Sequence, residues 1–341
     1  MNYVSPPSRS EPVQEALSAL RNADRFLIST HVNADGDGAG SEAALAAWLL
    51  ARGKEVWIVN PTPFPKPFRF FLPPGATLLD PGTPVAEEVV ERVDLAVILD
   101  TGEAPRIGAV SDLIRGAPSL VIDHHPPGEQ PIPGISFRDP AACATGELVY
   151  DIILAADGPW ALETVQGLYV ALLTDTGSFR FSNTSPAAHY IVADLMEKGA
   201  DPEDLFRRAY GNVPLRKLRL LQASLGALEV DPMGDLAWMT VPSKTFQELG
   251  ATSDDIEGLV DYPRDIEGVE VGLLFRETVR GATKISFRSN GAVDVNVLAR
   301  AFGGGGHVKA SGALVQRPLS EVRPEVLDAV RGAIRGGDSH A

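Results

Sequence analysis

The residues best suited to chemistry are Asp and His side chains at the ends of strongly apolar segments. Those segments are RFLIST, LAVILD, SLVID and GLYVALLTD. The first three are short and rich in β-branched residues, as buried parallel strands are, and the fourth is long enough for a helix. The side chains that end or follow them are His31, Asp35, Asp37, Asp100, Asp123, His124, His125 and Asp175.

These side chains are expected to meet, because ligands bind beyond the carboxyl ends of the strands in an open α/β sheet. Several carboxylates at close range cannot all stay ionised without cations between them. An Asp-Gly turn would explain the segment HVNADGDG alone, so the prediction depends on the other segments as well. We predict a divalent-metal site, whose ligands would be His31, Asp35, Asp37, Asp100, His124 and Asp175.

Two further features indicate a substrate site. In DHH at Asp123–His125 the two imidazoles follow a strand, so one can bind metal while the other faces substrate. The glycine run before His307 permits close approach of the backbone to a ligand, although a flexible loop is the alternative. Arg288, Lys284 and Lys309 would supply the positive charge that a phosphate needs. Cys143 and Thr145 are interpreted as small residues near a helix start.

Composition limits the class of protein. The chain has 341 residues, enough for two domains, and a net charge of -15, which opposes binding of long duplex nucleic acid. Between Arg264 and Arg317, however, eight basic residues stand against five acidic ones. A single cysteine excludes an intramolecular disulfide and a thiolate zinc site. No apolar run reaches the roughly 18 residues of a membrane span, so a cytoplasmic protein is expected.

The order of apolar segments predicts the architecture. From Glu11 to about Tyr150, strands alternate with helices, which favours an α/β fold with a Rossmann-like, mainly parallel sheet. Residues 11–200 would form this catalytic domain, and residues 201–229 a helical linker. Residues 230–336, with strands in DLAWMTV, VEVGLLFRET and GATKISFRS, would form a smaller α/β domain. The active site is expected in the cleft between the domains.

Four motifs in order, HVNADGDG, LAVILDTG, VIDHHP and LLTDTGSFRF, resemble those of the DHH phosphoesterase family. The later segment FRSNGAVDVNVLARAFGGGGHVKASGA resembles the DHH-associated C-terminal domain. Together the resemblance covers roughly residues 11–335. Chain length and the lack of extra domains are most similar to a subgroup that degrades short oligonucleotides (nanoRNA) to mononucleotides. The same subgroup dephosphorylates 3′-phosphoadenosine 5′-phosphate (pAp) to AMP.

The resemblance implies two divalent ions, with Mn²⁺ favoured over Mg²⁺ by mixed carboxylate and imidazole ligation. His31, Asp35 and Asp100 would hold one ion, and Asp100 would bridge to a second ion held by Asp37, His124 and Asp175. His125 would contact the substrate phosphate or the nucleophilic water, with Asp123 orienting it. The implied substrate residues are Arg288, His307, Gly304, Gly305, Gly306, Lys309 and Lys284.

Several alternatives stay open or are disfavoured. A single-strand DNA exonuclease of the same superfamily would need an oligonucleotide-binding barrel, for which no segment is spare. A cyclic-dinucleotide or linear-dinucleotide phosphodiesterase uses the same core, usually with membrane and sensory segments. An inorganic pyrophosphatase fits the GGGGH half poorly, and a non-catalytic nucleotide sensor would not need all six metal ligands. The expected partners are short oligonucleotides and pAp, with no membrane; a homodimer is an open alternative.

Overall fold

Two sheets organise the chain in the computed structural model, which describes residues 3–211, 213–256, 258–278 and 280–337. The chain divides into two compact units, Met1–Asn212 and Val213–Ala341. The predicted α/β class and the mainly parallel first sheet are confirmed. Within the described ranges, none of the helices is both long and apolar enough to span a bilayer.

The first unit contains a six-stranded parallel sheet with the strand order β3-β2-β1-β4-β5-β6. Its central strands are buried along almost their whole length, as strands covered on both faces are. The strands are β1 (Arg25–Ser29), β2 (Glu55–Val59), β3 (Thr77–Leu79), β4 (Leu95–Leu99), β5 (Ser119–Asp123) and β6 (Ile135–Arg138).

Helices cover both faces of this sheet. The larger core contains Phe26, Ile28 and Val97 on one face, and the smaller core contains Leu27 and Ile98 on the other. The helices are α1 (Ser10–Asn22), α2 (Gly36–Leu50), α3 (Pro84–Val90), α4 (Val110–Leu113), α5 (Thr145–Ala155), α6 (Leu162–Asp175), α7 (Pro186–Glu197) and α8 (Pro202–Tyr210). Short 3₁₀ segments occur at Pro7–Arg9, Lys66–Phe71 and Ala104–Ile107.

Two glycines allow α2 and α6 to pack with their backbones in close contact. A Cβ atom at Gly40 would lie 2.4 Å from the carbonyl oxygen of Gly167, and one at Gly167 would lie 2.6 Å from that of Gly40. Near the start of α2, a Cβ at Gly36 would lie 2.4 Å from Thr174, close to the end of α6. The helices are therefore antiparallel, and the first turn of α2 meets the last turn of α6.

The second unit contains a six-stranded mixed sheet with the order β11-β12-β10-β9-β8-β7, in which only β8 and β9 pair in parallel. The strands are β7 (Glu229–Val230), β8 (Leu236–Val241), β9 (Val271–Glu277), β10 (Thr283–Ser289), β11 (Gly305–Gly306) and β12 (Ala310–Val315). The helices are α9 (Leu215–Gly226), α10 (Ser243–Glu248), α11 (Ser253–Ile256), α12 (Asp261–Arg264), α13 (Val295–Ala301) and α14 (Leu319–Gly337).

Apolar side chains cover the two faces of the second sheet unequally. On one face, α13 and α14 pack over Phe275, Ile285 and Phe287. On the other face, α9 packs over Met239 and Leu274, which lie on β8 and β9. This second cluster contains no residue of β10 or β12.

Candidate functional site

The candidate site of the first unit lies where the strand order of its sheet reverses. β1 and β4 are neighbours at this point, and the chain leaves them at His31 and Asp100. Ligands of open α/β sheets bind in the crevice outside such strand ends. Asp100 is 1% exposed and has a positive φ of 62°. Its N–H donates to the carbonyl oxygen of Ile122 at 3.0 Å, which fixes this backbone conformation.

A first cluster of ligand atoms surrounds His31. Its Nε2 lies 3.2 Å from Oδ2 of Asp100 and 3.8 Å from Oδ2 of Asp35. Its Nδ1 lies 3.0 Å from the carbonyl oxygen of Val32, which can only accept a hydrogen bond. The proton of a neutral ring therefore belongs on Nδ1, and Nε2 keeps its lone pair for a metal.

A second cluster surrounds His124. Its Nε2 lies 3.6 Å from Oδ1 of Asp100, 3.6 Å from Oδ2 of Asp175 and 3.7 Å from Oδ2 of Asp37. Its Nδ1 lies 3.3 Å from the carbonyl oxygen of Ala142. The neutral ring is therefore oriented like that of His31, with Nε2 facing the carboxylates.

The two clusters share one carboxylate, since Oδ2 of Asp100 faces His31 and Oδ1 faces His124. Ligand atoms lie within 4.8 Å of one another in three groups, which are His31, Asp35 and Asp100; Asp37, His124 and Asp175; and Asp100, His124 and His125. Carboxylate oxygens and neutral imidazole nitrogens at this spacing suit divalent cations. The residues therefore fit a metal centre, and Asp100 is the carboxylate placed so that it could contribute to both clusters.

The N-terminus of α5 holds two of these carboxylates. The backbone N–H groups of Thr145 and Gly146 donate to Asp37 at 2.6 and 2.9 Å, and Ser41 Oγ donates to it at 3.0 Å. Thr145 Oγ1 donates to Oδ1 of Asp100 at 3.0 Å. A helix N-terminus also carries a partial positive charge, which favours negative side chains there. The carboxylates are thus oriented before any ion binds.

Crowding changes the protonation of the site. Burial and neighbouring carboxylates raise the pKa of Asp37 and of Asp100, and they raise the pKa of Asp175 to about 7. Burial lowers the pKa of His31, but hydrogen bonds to Asp100 and Asp35 outweigh it and raise that pKa to about 10. These four groups therefore hold protons more strongly than usual, and divalent cations would displace those protons. By contrast, burial raises the pKa of Asp35, but His31 and backbone N–H groups outweigh it and lower that pKa to about 2.

His125 lies at the edge of the metal clusters. Its Nδ1 and its backbone N–H both face Oδ1 of Asp123, at 2.9 and 3.0 Å, so Asp123 fixes the ring. Nη2 of Arg138 lies 3.5 Å from Oδ2 of Asp123. A Cβ atom at Gly102 would lie 1.5 Å from the same Nη2, so the guanidinium depends on the absence of a side chain there.

A buried ion network stabilises the chain before α5. Arg9 is 3% exposed and donates to Asp139 at 2.6 Å, to Glu147 at 2.7 Å and to Asp151 at 2.9 Å. The other oxygen of Glu147 accepts the N–H of Cys143 at 2.9 Å. Arg9 therefore supports the loop from which Thr145 and Gly146 reach the metal centre.

A fully buried carboxyl lies further along α2. Glu42 accepts a hydrogen bond from Nδ2 of Asn60 at 2.8 Å, and burial raises its pKa to about 8. Burial therefore favours the protonated form of this carboxyl at neutral pH. The same Asn60 accepts the N–H of Thr30, the residue before His31.

The predicted substrate residues lie in the second unit. Arg288 and Ala310 form the last residue pair between β10 and β12. Nε of Arg288 lies 3.5 Å from Oδ1 of Asp261. The N–H of His307 donates to the carbonyl oxygen of Ala310 at 2.8 Å, and that of Ser289 donates to Lys309 at 3.1 Å. One end of the sheet therefore brings together Arg288, His307, Lys309 and the glycines Gly304, Gly305 and Gly306.

Lys284 is separate from this group. It lies on β10 four residues before Arg288, which corresponds to about 13 Å along a strand. A Cβ atom at Gly304 would lie 2.0 Å from the carbonyl oxygen of Gly312, so this glycine is needed for close backbone packing. A Cβ atom at Gly305 would make an ordinary contact, 3.8 Å from Oδ1 of Asn296.

The structure thus brings all six predicted metal ligands together in the first unit and most of the predicted substrate residues together in the second. Sequence reasoning did not identify Thr145, Ser41 or Arg138 as site residues. Thr145 follows the loop DPAACA and begins a helix, so its position at a helix N-terminus was the only available signal. Arg138 lies on a strand that the sequence pattern did not predict.

Comparisons with known proteins match both units. Residues 25–173 match the DHH family, N-terminal domain, and residues 239–336 match the DHHA1 domain. The bifunctional oligoribonuclease and PAP phosphatase NrnA of Thermus thermophilus is 34% identical over 94% of this chain and 92% of its own length. The NrnA of Bacillus subtilis is 28% identical, with coverages of 88% and 92%.

Solved structures share the fold. The crystal structure of an exopolyphosphatase-related protein from Bacteroides fragilis superposes with a TM-score of 0.86 at 27% identity, and the match covers 96% of each chain. RecJ of Thermus thermophilus in complex with Mn²⁺ superposes with a TM-score of 0.57 at 16% identity, over 95% of this chain and 55% of RecJ.

Proposed function

The chain belongs to the DHH family, and on this premise we propose that it is a metal-dependent phosphoesterase acting on short oligonucleotides and pAp. It would release mononucleotides from the former and AMP from the latter. The observation that carries the proposal is the Asp100 carboxylate, whose two oxygens face two separate clusters of metal-ligating atoms. The names of the NrnA relatives support this choice of substrates.

The first unit would hold two divalent ions. One would be bound by His31, Asp35 and Asp100, and the other by Asp100, Asp37, His124 and Asp175. Paired ions in such sites lower the pKa of a bound water and stabilise the attacking and leaving oxygens of an in-line displacement. The ligand chemistry and the Mn²⁺ in the RecJ structure, a protein with the same fold, support Mn²⁺ as the ion.

His125 and Asp123 would handle the substrate. Because the Asp123 carboxylate only accepts, the hydrogen bond at 2.9 Å keeps a proton on Nδ1 of His125. Nε2 is then the nitrogen that can contact a phosphate oxygen or exchange a proton with a water or a leaving group. Arg138 beside Asp123 would add positive charge next to His125.

The second unit would supply substrate contacts. Arg288 and His307 would bind a terminal phosphate or base, the backbone of Gly304, Gly305 and Gly306 would allow close approach, and Lys309 would add charge beside them. Lys284 would add charge for substrates that extend farther along β10. The net charge of -15 supports short substrates and the exclusion of long duplexes. A homodimer and a cytoplasmic location remain part of the proposal, and the molar mass in solution tests the former.

One assay tests the proposed function. The purified chain with Mn²⁺ is given pAp, a dinucleotide, pyrophosphate and a long single strand in parallel. Rapid hydrolysis of pAp and the dinucleotide is expected, with slow hydrolysis of the others. Preference for the long strand would favour the DNA exonuclease alternative, and preference for pyrophosphate would contradict the proposal.

A second assay tests the division of roles between the units. Arg288→Ala and His307→Ala should weaken hydrolysis of pAp and dinucleotides while metal content stays normal. They should hardly change hydrolysis of bis-p-nitrophenyl phosphate, a minimal ester that needs only the metal centre. Equal losses on both kinds of substrate would contradict a role limited to recognition.

A further inference from the structure

Two cations face each other across neighbouring strands of the second sheet. Lys284 of β10 lies directly opposite Arg276 of β9 in the antiparallel register. Residues that pair in this way place their side chains on the same face of the sheet. Side chains alternate between the two faces along a strand, so Ile285 and Phe287 of β10 point away from Lys284. They are buried on the opposite face, beneath α13 and α14. Lys284 and Arg276 therefore lie on the less covered face.

No acidic side chain balances this pair within the part of the chain that the structure describes, where neither residue forms an ion pair within 4.0 Å. Nε of Arg276 is buried and has no hydrogen-bond partner there, and its guanidinium lies 5.2 Å from the ring centre of Phe246. Burial lowers the pKa of both residues, and for Lys284 the charge of Arg276 lowers it further.

Like charges directly opposite each other destabilise a sheet. In a chain of net charge -15, acidic residues are available in excess, yet this pair is left without one. An anion bound between the two side chains would remove the repulsion. A planar guanidinium beside an ammonium group is well suited to the oxygens of a phosphate.

Between this pair and Arg288, the face has small side chains on β10 and β12, whereas Leu274 on β9 is buried beneath α9. Ser286 lies between Lys284 and Arg288 on β10, and its partner on β12 is Gly312, which in turn pairs with Gly305 of β11. An extended ligand could therefore lie close to the sheet along this row. Next to Lys284, the partner residue Leu314 is 51% exposed and offers an apolar surface for a base.

We propose that Arg276 and Lys284 form a distal phosphate subsite for oligonucleotides, about 13 Å along β10 from Arg288. The inference rests on the proposed function and deepens it. Substrates as small as pAp end before reaching the pair, whereas oligonucleotides of several residues extend far enough for a further phosphate to bind there. The pair would thus favour the longer members of the short-oligonucleotide class.

The test uses the full chain and the variants Arg276→Gln and Lys284→Gln, which remove charge but keep most of the side-chain length. The ratio of kcat/KM for a pentanucleotide to kcat/KM for pAp should fall on the order of tenfold in Arg276→Gln, the value for one lost contact to a charged group. Lys284→Gln should lower the ratio in the same direction. Arg335→Gln is the matched control, since Arg335 is exposed in the last turn of α14.

Binding without turnover gives an independent measurement. In EDTA, fluorescence anisotropy of a labelled pentanucleotide is followed as salt is increased. The slope of log Kd against log salt should decrease by about 0.7 in Arg276→Gln, as for one lost phosphate contact on a single strand. Normal far-UV circular dichroism of the variants would exclude misfolding as the cause.

Two results would overturn the subsite. One is an equal fall in kcat/KM for pAp and the pentanucleotide, and the other is an unchanged salt slope in both variants. Failure of the wild-type protein to hydrolyse any of these substrates would refute the proposed function instead. The anisotropy comparison would still show in that case whether the pair binds phosphate.

Discussion

Thr145→Val tests whether the start of α5 orients the metal ligands. The substitution removes the hydroxyl that donates to Oδ1 of Asp100 at 3.0 Å. It keeps the branched shape and the backbone N–H that donates to Asp37 at 2.6 Å. A hydrogen bond to a charged group contributes about 1.5–3 kcal/mol, which corresponds to roughly 10- to 150-fold in an equilibrium constant. The loss of a hydrogen bond to a metal ligand typically costs about 10–100-fold in metal affinity or activity.

We therefore expect Mn²⁺ to bind metal-stripped Thr145→Val about 10–100-fold more weakly than the wild-type protein, as measured by isothermal titration calorimetry. The control is Thr164→Val, because Thr164 is buried in the same unit and its hydroxyl donates to a carbonyl oxygen, that of Ala44, at 3.2 Å. It should lose some stability against urea but keep its metal affinity. Unchanged metal affinity in Thr145→Val, or an equal change in the control, would refute the role assigned to the hydroxyl.

Three further predictions concern individual carboxyl and imidazole groups. Asp100→Ala should abolish turnover and lower metal occupancy of both clusters; two ions per chain by elemental analysis would contradict a bridging role. His125→Ala should keep both ions but lose about 10²–10⁴-fold in kcat, and loss of an ion would instead make His125 a ligand. Glu42 holds its proton in the folded state up to pH about 8, whereas its ordinary pKa is 4.5. The contribution of Glu42 to the free energy of unfolding is therefore most favourable below pH 4.5 and is lost as pH rises towards 8. In EDTA, the variant Glu42→Gln should gain stability relative to the wild-type protein over that pH range, by up to ~1.4 kcal/mol per pH unit. A constant difference in urea unfolding free energy between pH 5 and 8 would show that Glu42 does not retain its proton.

The sequence predicted those strands of the first unit that can be recognised from a short apolar segment of the chain. β1, β4 and β5 each contain an uninterrupted apolar segment, and the residues that follow these segments lie at the crevice because parallel strands end at the same edge. β6 was not predicted, because ISFR is short, follows a Pro- and Gly-rich stretch and lacks a clear period. Arg138 and its contact with Asp123 were missed for the same reason.

Contacts between distant segments account for most of what the sequence did not predict. Thr145 acts on Asp37 and Asp100 only because α5 packs beside α2 and the end of β4, which no spacing along the chain indicates. In the second unit, β12 was missed because ASGALV contains mainly small residues. The pairing of Lys284 with Arg276 then depends on a strand register that alternation alone does not determine.

The close contact of Gly40 with Gly167 matters for the stability of the second of the two clusters proposed to bind ions. Both clusters contain residues that closely follow sheet strands, with His31 and Asp100 in the first and Asp100 and His124 in the second. The second depends on Asp175 at the last residue of α6, whose position is set by packing against α2 rather than by the sheet. Helix ends open locally at lower free energy than central strands do. If the second cluster binds an ion as proposed, that ion should leave on heating before the protein unfolds, and the chain would pass through a folded form with one ion.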